Sequence, residues 1–216
     1  MRLAAALTLL AAPALAQADR AERLGERARQ DREIVYFLQA PQTHAFDLYH
    51  DFTETKEGAD RYVNVVRQGS TVSNPRATAL DTGAPLTVET LKGDAITKAG
   101  IDTGGPVRPD SEAVVVRFPK VAKGQSFRLR IHETYTDPGR YRLEDGELVF
   151  DRSLGRPRNA IVLPAGFYVT NCSVPAMVSE TEDGRIRLDF VNARTDEIGV
   201  LLTARARAGV PAKRTP

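Results

Sequence analysis

The chain has 216 residues, 42% hydrophobic and 27% charged, with one cysteine, three histidines and no tryptophan. That composition belongs to a folded chain and excludes disordered, collagen-like and multispanning classes. One cysteine excludes an internal disulfide framework and a cysteine-built zinc or iron-sulfur site, three histidines leave little for a multi-histidine metal centre, and 30 Lys and Arg against 28 Asp and Glu are too near balance for the basic field that holds nucleic acid.

Met1 and Arg2 open the chain, and residues 3–12, LAAALTLLAA, form an apolar run with the length of a signal-peptide core, broken by Pro13. Ala14-Leu15-Ala16 supplies the small residues that signal peptidase reads, so residues 1–16 are expected to be a signal peptide cleaved after Ala16, with Ala18 as the alternative. The run is near half of the roughly 20 apolar residues a membrane-crossing helix needs. No cysteine follows it for lipid attachment, and nothing later is apolar enough to span a bilayer. The mature chain is therefore expected to be periplasmic or secreted, with no transmembrane segment. Residues 17–32 are rich in charge, with Leu24 their one sizeable apolar residue, and read as a charged linker or short frayed helix.

From Glu33 the texture changes to short runs of Val, Ile, Tyr, Phe and Thr, punctuated by Gly, Pro, Asn or Asp, which predicts an all-β domain over residues 33–208 and a disordered tail over 209–216. In order, the predicted strands are IVYFLQ (34–39), HAFDLYHDFTET (within 44–55), RYVNVVRQ (61–68), ATALD and PLTVETL (between 77 and 91) and EAVVVRFP (112–119). They continue with SFRLRIHETYT (126–136), YRLE and ELVF (141–150), NAIVLP (159–164), FYVTNCSV (167–174), MVSETE and RIRLDF (within 177–190), and EIGVLLTARAR (197–207).

Turn chemistry sets the boundaries. Asp145-Gly146 and Asp183-Gly184 each offer the positive-φ pair of a tight hairpin, and Asp137-Pro138-Gly139 suits a type II turn. The stretch 92–111, rich in Gly and Pro, reads as a long loop or a subdivision of the domain. Within 127–135, Phe127, Leu129, Ile131 and Tyr135 face one way and Arg128, Arg130, His132 and Thr134 the other, with Glu133 the exception on the apolar side. Ile186, Leu188 and Phe190 alternate in the same manner with Arg185, Arg187 and Asp189. One dry and one wet face per sheet predict an antiparallel β-sandwich, either one extended sandwich or two immunoglobulin-like halves.

The candidate sites are few. His132-Glu133 begins like a zincin motif, but the second histidine is missing and a strand would hold the two positions about 13 Å apart. His44 and His50, on one face of one strand and about 20 Å apart, cannot share a ligand and read as surface or edge residues. No metal and no cofactor is expected. Cys172 is either a half-buried strand cysteine or a reactive thiol for a hydrolase or transferase, which would need a nearby base. Arginines recur at alternate positions, Arg128 and Arg130, Arg185 and Arg187, Arg205 and Arg207. If their strands are neighbours they form a patch for an anionic glycan or lipid; otherwise they are a solvated face paired to Glu133, Asp189 or Glu180. The P-loop, G-x-G-x-x-G, G-x-S-x-G and H-E-x-x-H motifs do not occur.

The cadence EAVVVRFPKVAKGQSFRLRIHETYTDPGRY, an apolar strand ending at Pro119, a turn at Lys123-Gly124 and a long alternating strand, resembles the N-terminal β-domains of M1-type metallopeptidases and the β-domains of transglutaminase-like proteins. NAIVLPAGFYVTNCSVPAMVSETEDGRIRLDFVN resembles an element of uncharacterised exported bacterial proteins. The resemblance implies a non-catalytic β-module, without the metallopeptidase zinc motif, that contacts a partner; from the export signal and the arginine rows that partner is expected to be an envelope protein or an anionic glycan or lipid.

Overall fold

In the structure, a computed structural model, residues 30–194 and 196–208 are described. The expected signal peptide, most of the charged linker and the tail lie outside them. The first half runs β1 (Arg32–Leu38), a 3-10 turn (Pro41–Thr43), β2 (Ala45–Glu54), β3 (Arg61–Val65), β4 (Thr71–Ala79), β5 (Pro85–Lys92), helix α1 (Asp94–Lys98) and β6 (Glu112–Arg117). The second half runs β7 (Phe127–Thr136), β8 (Tyr141–Glu144), β9 (Glu147–Leu154), β10 (Arg158–Val162), β11 (Phe167–Cys172), β12 (Met177–Glu180), β13 (Ile186–Val191) and β14 (Ile198–Ala206).

These strands make two sheets, one of ten strands in the order β12-β13-β10-β1-β2-β7-β4-β5-β6-β3 and one of four in the order β11-β14-β9-β8. The all-β sandwich expected from the alternation is the fold observed. One pair departs from the antiparallel rule: β1 and β10 run parallel, in register from Glu33 with Arg158 to Phe37 with Val162. Central placement buries both sides of β1, Tyr36 and Leu38 on one face and Val35 on the other. On the Val35 side the burial comes from side chains of the same sheet, Phe37, Tyr49 and Val162 among them, and a strand buried on both sides reads as a continuous apolar run, as Ile34–Phe37 does.

The large sheet is covered along one face by two bodies. At one end the four-stranded sheet packs on it, burying Phe46, Tyr135, Phe150, Ile161, Leu188 and Leu202 in a common core. Phe46 is stacked on Tyr135 and meets the Phe150 ring edge-on. At the other end β5 joins β4 only through Ala77 with Leu86 and Thr78 with Pro85, then leaves to pair with β6 from Thr87 to Lys92. β6 pairs in turn with β3. This lobe closes a second core around Phe52, Val116, Phe118, Leu129 and Ile131. Residues 93–111 connect the β5 and β6 hairpin partners and contain α1, whose Ile96 is buried.

Arg152 of β9 ties the two sheets together. Its guanidinium reaches Asp137 Oδ2 at 3.2 Å, both side chains being nearly inaccessible, and sits within 5.1 Å of the Phe46 ring centroid. Arg32, expected at the end of the linker, belongs to β1 and lies 3.7 Å over the Phe52 ring.

Two turns differ from expectation. Asp145 and Gly146 both take positive φ, 49° and 80°, the pair a two-residue hairpin requires. At the second hairpin only Gly184 does, at 80°. There Gly184 N–H donates to Thr181 O and Thr181 N–H to Arg185 O, so the loop is a turn closed by a glycine bulge, longer than the tight hairpin expected. Gly139 lacks the left-handed φ of a type II turn. Instead Arg140 and Tyr141 N–H both donate to Asp137 O, a helical turn that also admits Pro at its second position.

Candidate functional site

The alternating arginines fall on three different strands. Arg128 and Arg130 stand on the uncovered face of β7, and Arg187 on the same face of β13, with Arg185 just before it. Three strands, β10, β1 and β2, separate the two rows, a gap of about 19 Å across four strand spacings. Arg205 belongs to β14 in the other sheet and Arg207 follows that strand, its N–H donating to Gly166 O.

Five of the six have carboxylate partners. Arg130 grips Asp51 in a bidentate pair, both bonds 2.6 Å, and its Cζ lies 4.1 Å over the Tyr49 ring. Arg187 meets Asp189 at 2.7 Å and Glu33 at 3.4 Å. Arg128 pairs with Asp81 at 2.9 Å, Arg185 with Asp183 at 2.8 Å and Arg205 with Glu147 at 3.5 Å. Hydrogen bonds from Thr181 and then Arg185 hold the Asp183 carboxyl below its usual range. The acids that pair with Arg128 and Arg130 come from the strand on either side, Asp81 beyond β4 and Asp51 on β2, so the uncovered face is a lattice of matched charges.

Cys172 ends β11, half-buried against the first core, and its thiol donates to Val174 O at 3.1 Å. The three histidines stand elsewhere. His44 lies in the left-handed turn before β2 with Nδ1 at 2.9 Å from Tyr141 O. His132 packs edge-on to Tyr49 and is half-buried. His50, expected at the surface, is 5% exposed among Phe52, Tyr62 and the Arg32 guanidinium. Its Nε2 is buried without a hydrogen-bond partner, and burial, with the charges of Arg32 and Arg156, drives its pKa well below the histidine range.

The polar core residue that alternation singled out, Glu133, is 5% exposed and faces the lobe. Its partner is Asn64 of β3, not an arginine. Burial first, with the Glu112 charge also raising it, lifts its pKa to about 7 against the opposing Asn64 hydrogen bond. Nothing in the local sequence of 61–65 marks Asn64 as that partner.

The edges of the sheets differ in how they are guarded. At β3, Arg61 is paired with Asp60. β8 carries Arg142 paired with Glu144. The register of β11 shifts between Val169 and Asn171. β12 shows neither an ion pair with a described residue nor a register shift, its one charge being Glu180 at its end: Met177-Val178-Ser179-Glu180 is exposed along its whole length, and no described strand pairs with its outer side. Met177 is 64%, Val178 63% and Val191 of adjacent β13 68% exposed. Met177 is opposite Asp189, which places Val191 diagonally beside it on the same face.

No family model and no curated protein sequence matches the chain. Among solved structures it is similar to an M1 zinc metallopeptidase from Deinococcus radiodurans, with a TM-score of 0.45 and 15% identity over 86% of this chain and 48% of that one. It is also similar to an aminopeptidase N family protein from Idiomarina loihiensis, at 0.44 and 10% over 80% of this chain and 29% of that one. A third is a candidate nutrient binding protein from Legionella pneumophila, at 0.44 and 9% over 81% of this chain and 65% of that one. The M1 metallopeptidases are the family that the cadence of residues 112–141 resembles. The chain spans about half the length of the Deinococcus enzyme. A likeness of this degree extends no activity, substrate or partner to this chain.

Proposed function

We propose that this chain is a non-catalytic binding module, exported to the periplasm or beyond by residues 1–16, that receives an extended segment of an envelope protein along β12. The observation that carries this reading is the unguarded β12 edge, with its outward N–H and C=O groups and the exposed Met177, Val178 and Val191 beside it. An open edge of this kind is completed by another strand: main-chain hydrogen bonds supply affinity, and the flanking side chains select the partner. Met177 and Val191 offer an apolar seat on one face of the added strand and Val178 on the other.

The test is photo-cross-linking in native envelopes, with p-benzoylphenylalanine placed at position 178 on β12 and, as a control, at position 142 on β8. The expected result is one adduct from position 178, mapping to a single peptide of one protein and lost when Met177→Lys is introduced, with none from position 142. Fold stability should stay within about 0.5 kcal/mol, as for other surface substitutions. Recovery of the uncross-linked chain alone, or an adduct indifferent to Met177→Lys, would overturn the reading.

A further inference from the structure

At the opposite end of the strand order, the turn between β3 and β4 faces the loop at 103–111, and a cavity of about 670 Å³ opens between them. That volume lies within the range of small-molecule sites, about 300 to 1,000 Å³. Both walls are held by their own hydrogen bonds. Val66 N–H donates to Glu112 O at 2.9 Å, and Ser70 N–H to Arg67 O at 3.0 Å, with Gly69 in the left-handed region at 85°. Across the gap, Thr103 Oγ1 donates to Gly105 O at 2.7 Å and Arg108 N–H to Ser111 Oγ at 2.9 Å.

The lining carries both signs of charge. Glu112 is its buried acid, 8% exposed. Its ion-pair partner, Lys92, approaches only to 3.9 Å from an exposed position, too far for a hydrogen bond. Ser70 Oγ is buried and finds no hydrogen-bond partner. Two arginines also line the cavity, Arg67, half-buried, and Arg108, exposed. Whereas the arginines of the alternating rows are nearly all matched with carboxylates, neither of these guanidiniums makes an ion pair with a described residue. Val66 and Pro106 add apolar wall.

A buried carboxylate and hydroxyl that lack close donors and acceptors, in one cavity with two guanidiniums that make no ion pair with a described residue, are complementary to a molecule that carries both an ammonium and a carboxylate. We propose that this cavity binds a small zwitterion of the amino-acid class, its ammonium toward Glu112 and Ser70 and its carboxylate on Arg67 and Arg108. Asp110, also in the lining, joins Glu112 in balancing the two arginines, and a near-neutral lining favours a zwitterion over a simple anion. This site is at the far edge of the sheet from β12, so each proposal can fail alone.

The experiment is a thermal-shift screen of the full chain against the twenty common amino acids at about 10 mM, followed by titration calorimetry of the strongest. The expected result is saturable binding that weakens at least about tenfold, a loss of about 1.4 kcal/mol or more, when the ligand is its methyl ester or its N-acetyl derivative. Arg108→Gln, at an exposed position, and Glu112→Gln should each weaken it comparably, while Met177→Lys should not. No shift with any of the twenty would overturn the proposal. So would an N-acetyl derivative that binds as tightly as the free amino acid, or affinity unchanged by both Arg108→Gln and Arg67→Gln.

Discussion

The Asn64 side-chain amide donates to both carboxylate oxygens of Glu133, at 3.0 and 2.9 Å, and so fastens the outermost strand of the lobe to the middle of β7. The same nitrogen reaches the Tyr135 hydroxyl at 2.7 Å. Two amide protons thus serve three oxygens, and the carboxylate is short of donors in a buried place.

Glu133 therefore makes the lobe contact sensitive to pH. The groups facing it are Glu112 from β6 and Tyr135 on its own strand, with Tyr62 from β3 and Arg152 from β9 acting on that tyrosine. Its folded pKa, about 7, stands above the ordinary value of 4.5, so the native state holds a proton that the unfolded chain releases. The stabilisation is complete below about pH 4.5 and is lost as pH rises through about 7, on the order of 3 kcal/mol in all. His50 works in the opposite sense: its depressed pKa gives stability that is present above about pH 6.5 and is lost as pH falls. Glu133→Gln should remove the decline toward alkaline pH, leaving the variant more stable than the parent at pH 8. Urea unfolding from pH 4.5 to 8 measures this, and a variant that keeps the parental decline would refute it.

Arg152 and Asp137 are buried together between the sheets, with side-chain exposures of 11% and 5%. Removing the arginine strands a carboxylate away from water, so Arg152→Met should cost about 3–5 kcal/mol. Adding Asp137→Asn to it should restore a substantial part. A double variant no more stable than Arg152→Met in thermal unfolding would mean that the guanidinium matters through its packing on Phe46 and not through the pair.

The two glycines after acidic turn residues should respond differently. Gly146 holds φ at 80° in the β8 to β9 hairpin, and Gly146→Ala should destabilise by about 1–2 kcal/mol. At Gly139 an added Cβ would meet only Asp137 Oδ1, at an ordinary 3.8 Å, with no left-handed φ to defend. Gly139→Ala should leave the denaturation midpoint nearly unchanged, and a loss equal to that of Gly146→Ala would restore the type II geometry.

Side-chain alternation made most of the architecture legible. Residues 127–135 alternate so regularly that even the buried acid at 133 could be placed on its face from sequence. Asp145-Gly146 was legible because one turn type demands both its residues. Asp137-Pro138-Gly139 was not, since proline fixes only the first dihedral and two turn types share it. The same alternation drew attention to the arginines, but a period of two reports a face and not a neighbour. Asp51, which neutralises Arg130, becomes its partner only through the register of β2 with β7. The cavity residues Arg67, Arg108 and Glu112 lie in no periodic pattern, and it is the folding of the lobe that brings them together. Residues 177–182 read as a strand, yet nothing local says that it is the last of its sheet.

The parallel pair at the centre of the large sheet also orders events in time. β1 gains β2 on one flank once residue 54 has been made, while its other flank waits for residues 158–162. Until then Val35, wholly inaccessible in the finished protein, lies beside an open apolar edge. A chain emerging from its N-terminus, at a ribosome or a translocation pore, passes through a long interval in which an interior strand of the large sheet has one edge open. Folding of this protein should therefore be slow, set by a long-range closure, and helped by any factor that shields the β1 edge during that interval.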